Sequence, residues 1–303
     1  MSTAAPSTSA NVSGPRRRRI GPGWARSIAR HALLAAISIA FALPLIWMAA
    51  TSLKPEVQAA AGGMSLLPDP PSKTVEYAAA NYKAVLADPT VNFPLYMRNT
   101  ILVATLSMAG MVFSSAVVAY GLSRLKWRGR GPVLALVLGT MMIPFPVIML
   151  PQYLIFKELG WIGSLKPLWI PAWTGGAFSV FLLRQFFLTI PRELDEAAAV
   201  DGCSAWGTFW RVILPVSKPA LAVVALLHFV YTWNDFLGPL IFVNHRDQFT
   251  LALGLQLYQS QAGNIEWSLL MAASTMVVAP VVIVFLAAQR FFVEGVSSQG
   301  LKE

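Results

Sequence analysis

Three consecutive residues near position 234 combine side chains that can bind hydroxyl groups. Trp233 offers an aromatic face, Asn234 a carboxamide and Asp235 a carboxylate. Asp235 is also the one acidic residue in the apolar run 219–242, and an ionisable residue inside a membrane segment marks a functional site by default. The triplet is therefore a candidate pathway for a polyhydroxylated ligand. A structural hydrogen bond between helices is an equally good explanation of it.

The other reactive residue types form no catalytic or metal-binding pattern. Cys203 is the single cysteine, which excludes a disulfide within the chain and a cysteine-based metal site. The run from Gly202 to Gly207 has the glycine spacing of a phosphate-binding loop, but Thr208 follows where that loop needs a lysine. We therefore expect no catalytic residue, no metal site and no cofactor, and a protein that is not an enzyme.

A second candidate site is the polar segment 189–217. Pro191 suits a helix start, and acidic side chains follow where the helix dipole favours negative charge. Gly202 suits the helix end, so the pattern predicts a helix over 191–201. The acidic residues of this segment are Glu193, Asp195, Glu196 and Asp201.

One face of this predicted helix carries mainly small side chains. It is formed by Leu194, Ala197, Ala198 and Asp201. Small side chains let another backbone approach closely, so the helix is suited to a groove on a partner protein. A helix lying on the membrane surface is the alternative, but its acidic residues disfavour contact with anionic lipid.

Membrane helices must position these candidate sites. Charged residues make up only 12% of the chain, against about 25% in an ordinary soluble domain. This excludes a soluble enzyme, a disordered protein and a coiled coil. Six apolar runs are long enough to span a bilayer. They cover residues of about 32–51, 100–122, 132–153, 167–188, 219–242 and 268–289.

The fold class predicted from these runs is an all-α polytopic membrane protein with six transmembrane helices. The third and fourth runs are interrupted by Pro144, Pro146, Pro151 and Pro171. Proline inside a membrane helix is tolerated where neighbouring groups satisfy the freed backbone. These prolines indicate packing kinks or kinks beside a translocation path.

The distribution of lysine and arginine predicts the orientation. Six spans place both termini on one side, together with the loop after the second span and segment 189–217. Most of the basic residues lie on that side, which should therefore be cytoplasmic. We expect a disordered basic cytoplasmic N-terminus over 1–30, a transmembrane domain over 31–290 and a cytoplasmic tail over 291–303. The positive charge is thus a topology signal, and we expect no nucleic-acid partner.

The spacing within segment 189–217 resembles a known motif. Glu196, Ala197 and Ala198 are followed by three residues, Gly202, nine residues and then Val-Ile-Leu-Pro ending at Leu214 and Pro215. This is similar to the EAA motif of binding-protein-dependent ABC importer permeases, with valine in place of its isoleucine. The segments YTWNDFLGPLIF and FFVEGVSSQGLKE resemble carbohydrate importers, especially the shorter six-span permease of the maltose transporter type. The tail departs slightly from the usual family ending.

The resemblance implies a transport role in the bacterial plasma membrane. The subunit would pair with a second homologous permease to enclose a pathway for a sugar, an oligosaccharide or a glycerol-phosphate-like substrate. Two ATPase subunits would bind the EAA loop, and an extracytoplasmic solute-binding protein would deliver the substrate. The residues that it implies for ATPase coupling are Glu196, Ala197, Ala198, Asp201, Gly202, Leu214 and Pro215.

Two other classes compete with this interpretation. An ion-coupled secondary transporter could use Asp235 and His228, but such proteins carry several intramembrane charges and an inverted repeat. The chain offers one such acid and no obvious repeat. A membrane-embedded enzyme needs a catalytic cluster, which the sequence lacks. Neither alternative explains segment 189–217.

Overall fold

A computed structural model describes residues 23–260 and 265–297, and every regular element in these ranges is helical. This confirms the all-α fold class. The α-helices are α1 (Gly23–Ser52), α2 (Glu56–Ala60), α3 (Thr74–Ala87), α4 (Phe93–Ser123), α5 (Arg130–Thr140), α6 (Phe145–Glu158), α7 (Lys166–Trp169), α8 (Ala177–Thr189), α9 (Glu193–Val200), α10 (Ala205–Thr208), α11 (Leu214–Val216), α12 (Lys218–Trp233), α13 (Leu237–Phe242), α14 (Leu251–Ser260) and α15 (Trp267–Ser297).

Shorter helical segments join these elements. They are 3-10 turns at Pro71–Lys73, Ile170–Thr174 and Arg246–Gln248 and a π-helical turn at Phe209–Ile213. The chain divides into two compact units, residues 1–46 and 47–303. The described part of the first unit is helical from Gly23 onward, and its large apolar side chains are mostly exposed. Residues 23–30 were predicted to be disordered, and that prediction is wrong. Residues 1–22 lie outside the described ranges.

Membrane-spanning capacity is concentrated in a few helices of the described ranges. Arg26–Ser52, Phe93–Ser123 and Trp267–Gln289 are each long and apolar enough to cross a membrane. Two bent pairs raise the number to five if each pair forms one span. In one pair α5 and α6 meet at 97°, and in the other Ala205–Val216 meets α12 at 78°. The count of six and the cytoplasmic termini remain predictions.

Three predicted spans are not continuous helices. The run 132–153 breaks between α5 and α6, where Pro144 has an extended backbone and restricts the residue before it. The run 167–188 begins as α7 and a 3-10 turn, and α8 starts only after Gly175, whose φ of +83° cannot continue a right-handed helix. The run 219–242 ends its first helix at Trp233 and resumes as α13.

Helix α4 runs through both buried clusters of the second unit. The first cluster, which includes residues of α3 and α14, contains Val85, Val91, Phe93, Tyr96, Ala104, Phe229, Trp233, Leu251, Tyr258, Leu270, Ala272 and Ala273. The EAA-side cluster contains Ala116, Ala119, Tyr120, Leu122, Val180, Leu183, Phe187, Ile190, Phe209, Ile213, Ala220 and Val224. The two ends of α4 thus pack in different clusters, and in each cluster the apolar side chains are buried against one another.

Candidate functional site

The predicted helix of segment 189–217 is α9. It is somewhat shorter than predicted, since it begins at Glu193 and ends at Val200. The chain leaves the helix through Gly202, which has a φ of +78°. The Gly202 N–H donates to the carbonyl of Ala199 at 3.1 Å, and the Cys203 N–H donates to the carbonyl of Ala198 at 2.8 Å. Gly202 therefore terminates α9 in the left-handed conformation that glycine adopts at low cost.

The surface of α9 is mostly exposed, but one position of the predicted docking face is not. Glu196, Ala197, Asp201 and Gly202 are exposed. Ala198 is only 5% exposed, because α9 contacts α10 and the π-helical turn on that side. Val200, which was not assigned to the face, is 88% exposed. The exposed face is therefore rotated away from Ala198 relative to the prediction.

A buried arginine at the end of α4 holds the segment that leads into α9. Arg124 is 5% exposed. Its guanidinium donates to the carbonyls of Phe187 at 3.0 Å, Ile190 at 2.8 Å and Pro191 at 3.0 Å. It also forms an ion pair with the carboxylate of Asp195 in the first turn of α9. The cation thus satisfies the carbonyls of Ile190 and Pro191 just after α8, and it adds a second donor to the carbonyl of Phe187, which also accepts the Ile190 N–H.

Arg192 and Tyr120 form further hydrogen bonds between this segment and α4. Arg192 donates to the carbonyls of Ser123 and Arg124, each at 2.8 Å. The Tyr120 hydroxyl donates to the carbonyl of Ala205 at 2.9 Å. Because these bonds run in both directions, α4, α8 and α9 form one hydrogen-bonded corner. Sequence reasoning counted the arginines only as topology charges and missed this corner, whose partners lie far apart along the chain.

The end of the EAA-like motif lies on the segment that turns into α12. Leu214 is half-buried and Pro215 is exposed. The preceding π-helical turn buries Phe209 and Ile213 completely. The Phe209 ring packs on the Tyr120 ring with centroids 5.1 Å apart. These contacts fix the second half of the motif against the same end of α4.

The residues Trp233, Asn234 and Asp235 are not a uniform binding triplet. Trp233 is 2% exposed and its indole N–H donates to the carbonyl of Val277 on α15 at 3.1 Å. This is the structural interhelical bond that was the alternative interpretation, and it accounts for the burial of Trp233. The other two residues lie in the break between α12 and α13, because the helix that was predicted to contain them ends at Trp233.

Asn234 and Asp235 do line a cavity of about 830 Å³. The carboxamide of Asn234 donates to the carbonyl of Val230 at 2.8 Å. One oxygen of Asp235 accepts the N–H of Gly238 at 3.0 Å. These bonds fix both side chains at the cavity wall. The cavity volume lies within the range typical of small-molecule sites.

The same cavity is lined by polar residues that sequence reasoning did not assign to it. Ser107 on α4 and His228 on α12 share a hydrogen bond of 2.7 Å between hydroxyl and ring nitrogen. Gln152 on α6 and Tyr231 and Thr232 on α12 complete the polar lining. The signal that could have found Tyr231 and His228 is their helical spacing from Asn234 and Asp235. No local pattern identifies Ser107 or Gln152, which come from other helices.

Comparison with known proteins places the chain among transport components. A family described as "Binding-protein-dependent transport system inner membrane component" matches residues 109–298. The trehalose/maltose transport system permease protein MalG of Thermococcus litoralis is 38% identical over 277 residues, covering 89% of this chain and 94% of that protein. The arabinooligosaccharides transport system permease protein AraQ of Halalkalibacterium halodurans is 31% identical over 288 residues, covering 94% and 99%.

A solved structure supports the same fold. It is the crystal structure of a bacterial ABC transporter involved in the import of the acidic polysaccharide alginate. One of its chains superposes with a TM-score of 0.75 at 24% sequence identity, covering 89% of this chain and 97% of that chain. At 24% identity this comparison supports the fold alone.

Proposed function

Because the chain belongs to the family of binding-protein-dependent transport system inner membrane components, we propose that it forms, with a second homologous permease, the pathway of an ABC importer for a sugar or oligosaccharide. A permease of this family is a multi-pass protein of the bacterial plasma membrane. ATP hydrolysis and substrate delivery belong to other subunits: two ATPases and an extracytoplasmic solute-binding protein.

The observation that carries this proposal is the construction of α9. Its outer surface offers Glu196, Ala197 and Asp201 to a partner, while Arg124 ties its first turn to α4. A short helix with small exposed side chains suits a groove of an ATPase subunit. Glu196 can pair there with a basic group of the ATPase.

The corner at Arg124 gives the docking helix a route to the pathway. Since α4 also contributes Ser107 to the cavity, a movement of α9 displaces the cavity wall through α4. ATP can drive such a movement only if the ATPases contact α9 differently in their two states. The proposed role of the EAA loop is therefore that of a mechanical connection between ATPase closure and the cavity.

The substrate class follows from the relatives. The two permeases compared above are named for trehalose/maltose and arabinooligosaccharide transport. The family membership argues against the ion-coupled secondary transporter. One oxygen of Asp235 is also already bonded to the backbone of Gly238, which fits a wall residue better than a coupling site.

The test is a steric block of α9 in the assembled importer. Ala197→Trp places a bulky ring on the exposed face, and we expect it to abolish co-purification of the ATPase subunits and ATP-dependent sugar uptake. Ala79→Trp is the matched control, because Ala79 is an exposed alanine within α3. It should leave ATPase co-purification unchanged. If Ala197→Trp binds the ATPases as the unaltered chain does, α9 is not their docking site.

A further inference from the structure

The cavity beside the break between α12 and α13 has a lining suited to hydroxyl groups. Its polar side chains are Ser107, Gln152, His228, Tyr231, Thr232, Asn234 and Asp235. They come from α4, α6, α12 and the break after α12, so they surround the space instead of lying along one helix. Side chains that converge from several elements on one concave space are typical of a small-molecule site.

Several hydrogen-bonding atoms remain available to a ligand. Asn234 uses its amide nitrogen on Val230, which leaves its oxygen as an acceptor. Asp235 accepts the backbone N–H groups of Gly238 and Leu237, and its two carboxylate oxygens have further lone pairs that can accept hydroxyl groups. The carboxamide of Gln152 makes no hydrogen bond to another described residue, so it can donate and accept. Donors and acceptors in this mixture match sugar hydroxyls, which do both.

The lining of the cavity also includes an aromatic ring. Tyr231 is exposed toward the cavity region, and its ring stacks on the His228 ring with centroids 6.0 Å apart and planes 27° apart. The hydrogen bond of His228 to Ser107 fixes that ring. Tyr231 therefore presents a supported apolar surface with a hydroxyl at its edge, a combination that binds partly apolar, partly polar ligands.

The lining also lacks a cationic partner for an anion. No lysine or arginine is among the described residues around this cavity, and Asp235 supplies a carboxyl group. A carboxylated, sulfonated or phosphorylated sugar would lose hydration on entry without gaining a compensating charge. An uncharged sugar would exchange its water hydrogen bonds for those of the wall.

We propose that this cavity binds an uncharged sugar, or an uncharged stretch of an oligosaccharide, and that it selects against acidic sugars within the permease itself. Gln152, Asn234 and Asp235 hold the hydroxyls, and Tyr231 holds a ring face. The inference rests on the proposed function and deepens it, because it assigns part of the substrate choice to this subunit and not only to the solute-binding protein.

The experiment measures sugar binding to the importer complex in nanodiscs without the solute-binding protein. The probes are the uncharged trisaccharides maltotriose, arabinotriose and cellotriose, and the acidic trisaccharide trigalacturonate, followed by saturation-transfer NMR. We expect at least one uncharged probe to bind and trigalacturonate to bind at least about tenfold more weakly, as expected for an unpaired anion. Equal or tighter binding of trigalacturonate, or binding of none of the uncharged probes, overturns the proposal.

Variants assign the binding to this cavity. Gln152→Leu should weaken the uncharged probe about fivefold through the lost hydrogen bond. Gln256→Leu is the matched control, since Gln256 lines a different cavity, and it should change nothing. Gln152→Lys supplies the missing cation and should raise trigalacturonate binding. Unchanged binding in both Gln152 variants overturns the assignment. The Ala197→Trp test does not depend on the sugar's charge, so the two proposals can fail separately.

Discussion

The buried guanidinium of Arg124 is paired with the carboxylate of Asp195, which joins the end of α4 to the first turn of α9. The Arg124 side chain is almost fully buried, whereas that of Asp195 is partly exposed. The pair therefore lies between the buried end of α4 and the exposed helix α9. It makes the position of α9 dependent on α4.

Removing this cation should destabilise the corner. Arg124→Met leaves the carbonyls of Ile190 and Pro191 and the carboxylate of Asp195 without their guanidinium donor, and the carbonyl of Phe187 with only the Ile190 N–H. Each buried carbonyl left without a donor costs about 1–3 kcal/mol, and the partly exposed carboxylate of Asp195 loses its ion pair. We expect a lower unfolding temperature of the purified permease and faster proteolysis within segment 189–217.

Arg128→Met serves as the control for that prediction. Arg128 is an exposed arginine a few residues further along the chain, and a surface substitution of this kind changes stability by about 0.5 kcal/mol or less. If the two variants unfold at the same temperature, the hydrogen bonds of Arg124 do not hold the corner.

The left-handed end of α9 provides a second prediction. An alanine at position 202 meets no atom within 4 Å but must adopt a φ of +78°, which costs about 1–2 kcal/mol. We expect the chain after α9 to follow a different path, so that the alanine at position 202 avoids the positive φ. Gly202→Ala should therefore reduce ATP-dependent uptake while membrane insertion stays normal.

Gly160→Ala is the control that separates the cost of a positive φ from an effect on transport. Gly160 also has a positive φ, +65°, with open space around its Cβ position, so its substitution carries a similar cost. We expect the two variants to unfold at similar temperatures, with uptake reduced only by the change at position 202. Equal uptake in both would count against a role of the α9 end in coupling.

The packing of α4 yields a third prediction. A Cβ at Gly110 would overlap the Trp173 ring, so Gly110→Ala should cost about 1–3 kcal/mol by overpacking. Gly121 lies in the same helix with no atom within 4 Å of its Cβ position, and Gly121→Ala should be neutral or stabilise by about 0.5–1 kcal/mol. Thermal unfolding of the two variants tests the difference, and a matching shift in both would refute the close contact at Gly110.

Local signals predicted α9 well because each of them acts within one or two turns. The acidic first turn and the terminal Gly202 specify a short helix without reference to the rest of the chain. Hydropathy located the apolar runs because it, too, depends only on residues that are neighbours in the sequence.

Hydropathy could not predict where those runs break. It averages over a window, whereas Pro144 and Gly175 interrupt a helix at single positions. It also gave no information on pairing between distant residues. The role of Arg124 depends on an aspartate 71 residues away, and the cavity draws Ser107 and Gln152 from two separate helices.

The length of α4 has a consequence for the direction in which information can pass. Its 31 residues extend about 46 Å at 1.5 Å per residue. Near its start, Asn99 donates to the carbonyls of Asp247 and Phe249 at 2.9 and 3.0 Å, and its end is bonded to α9 through Arg124. If a partner bound to α9 changes the affinity of the 246–250 turn for a ligand, thermodynamic reciprocity requires that ligand to change the affinity of α9 for the partner by the same factor. The connection through α4 can therefore carry an effect from the 246–250 turn to α9 as readily as from α9 to that turn.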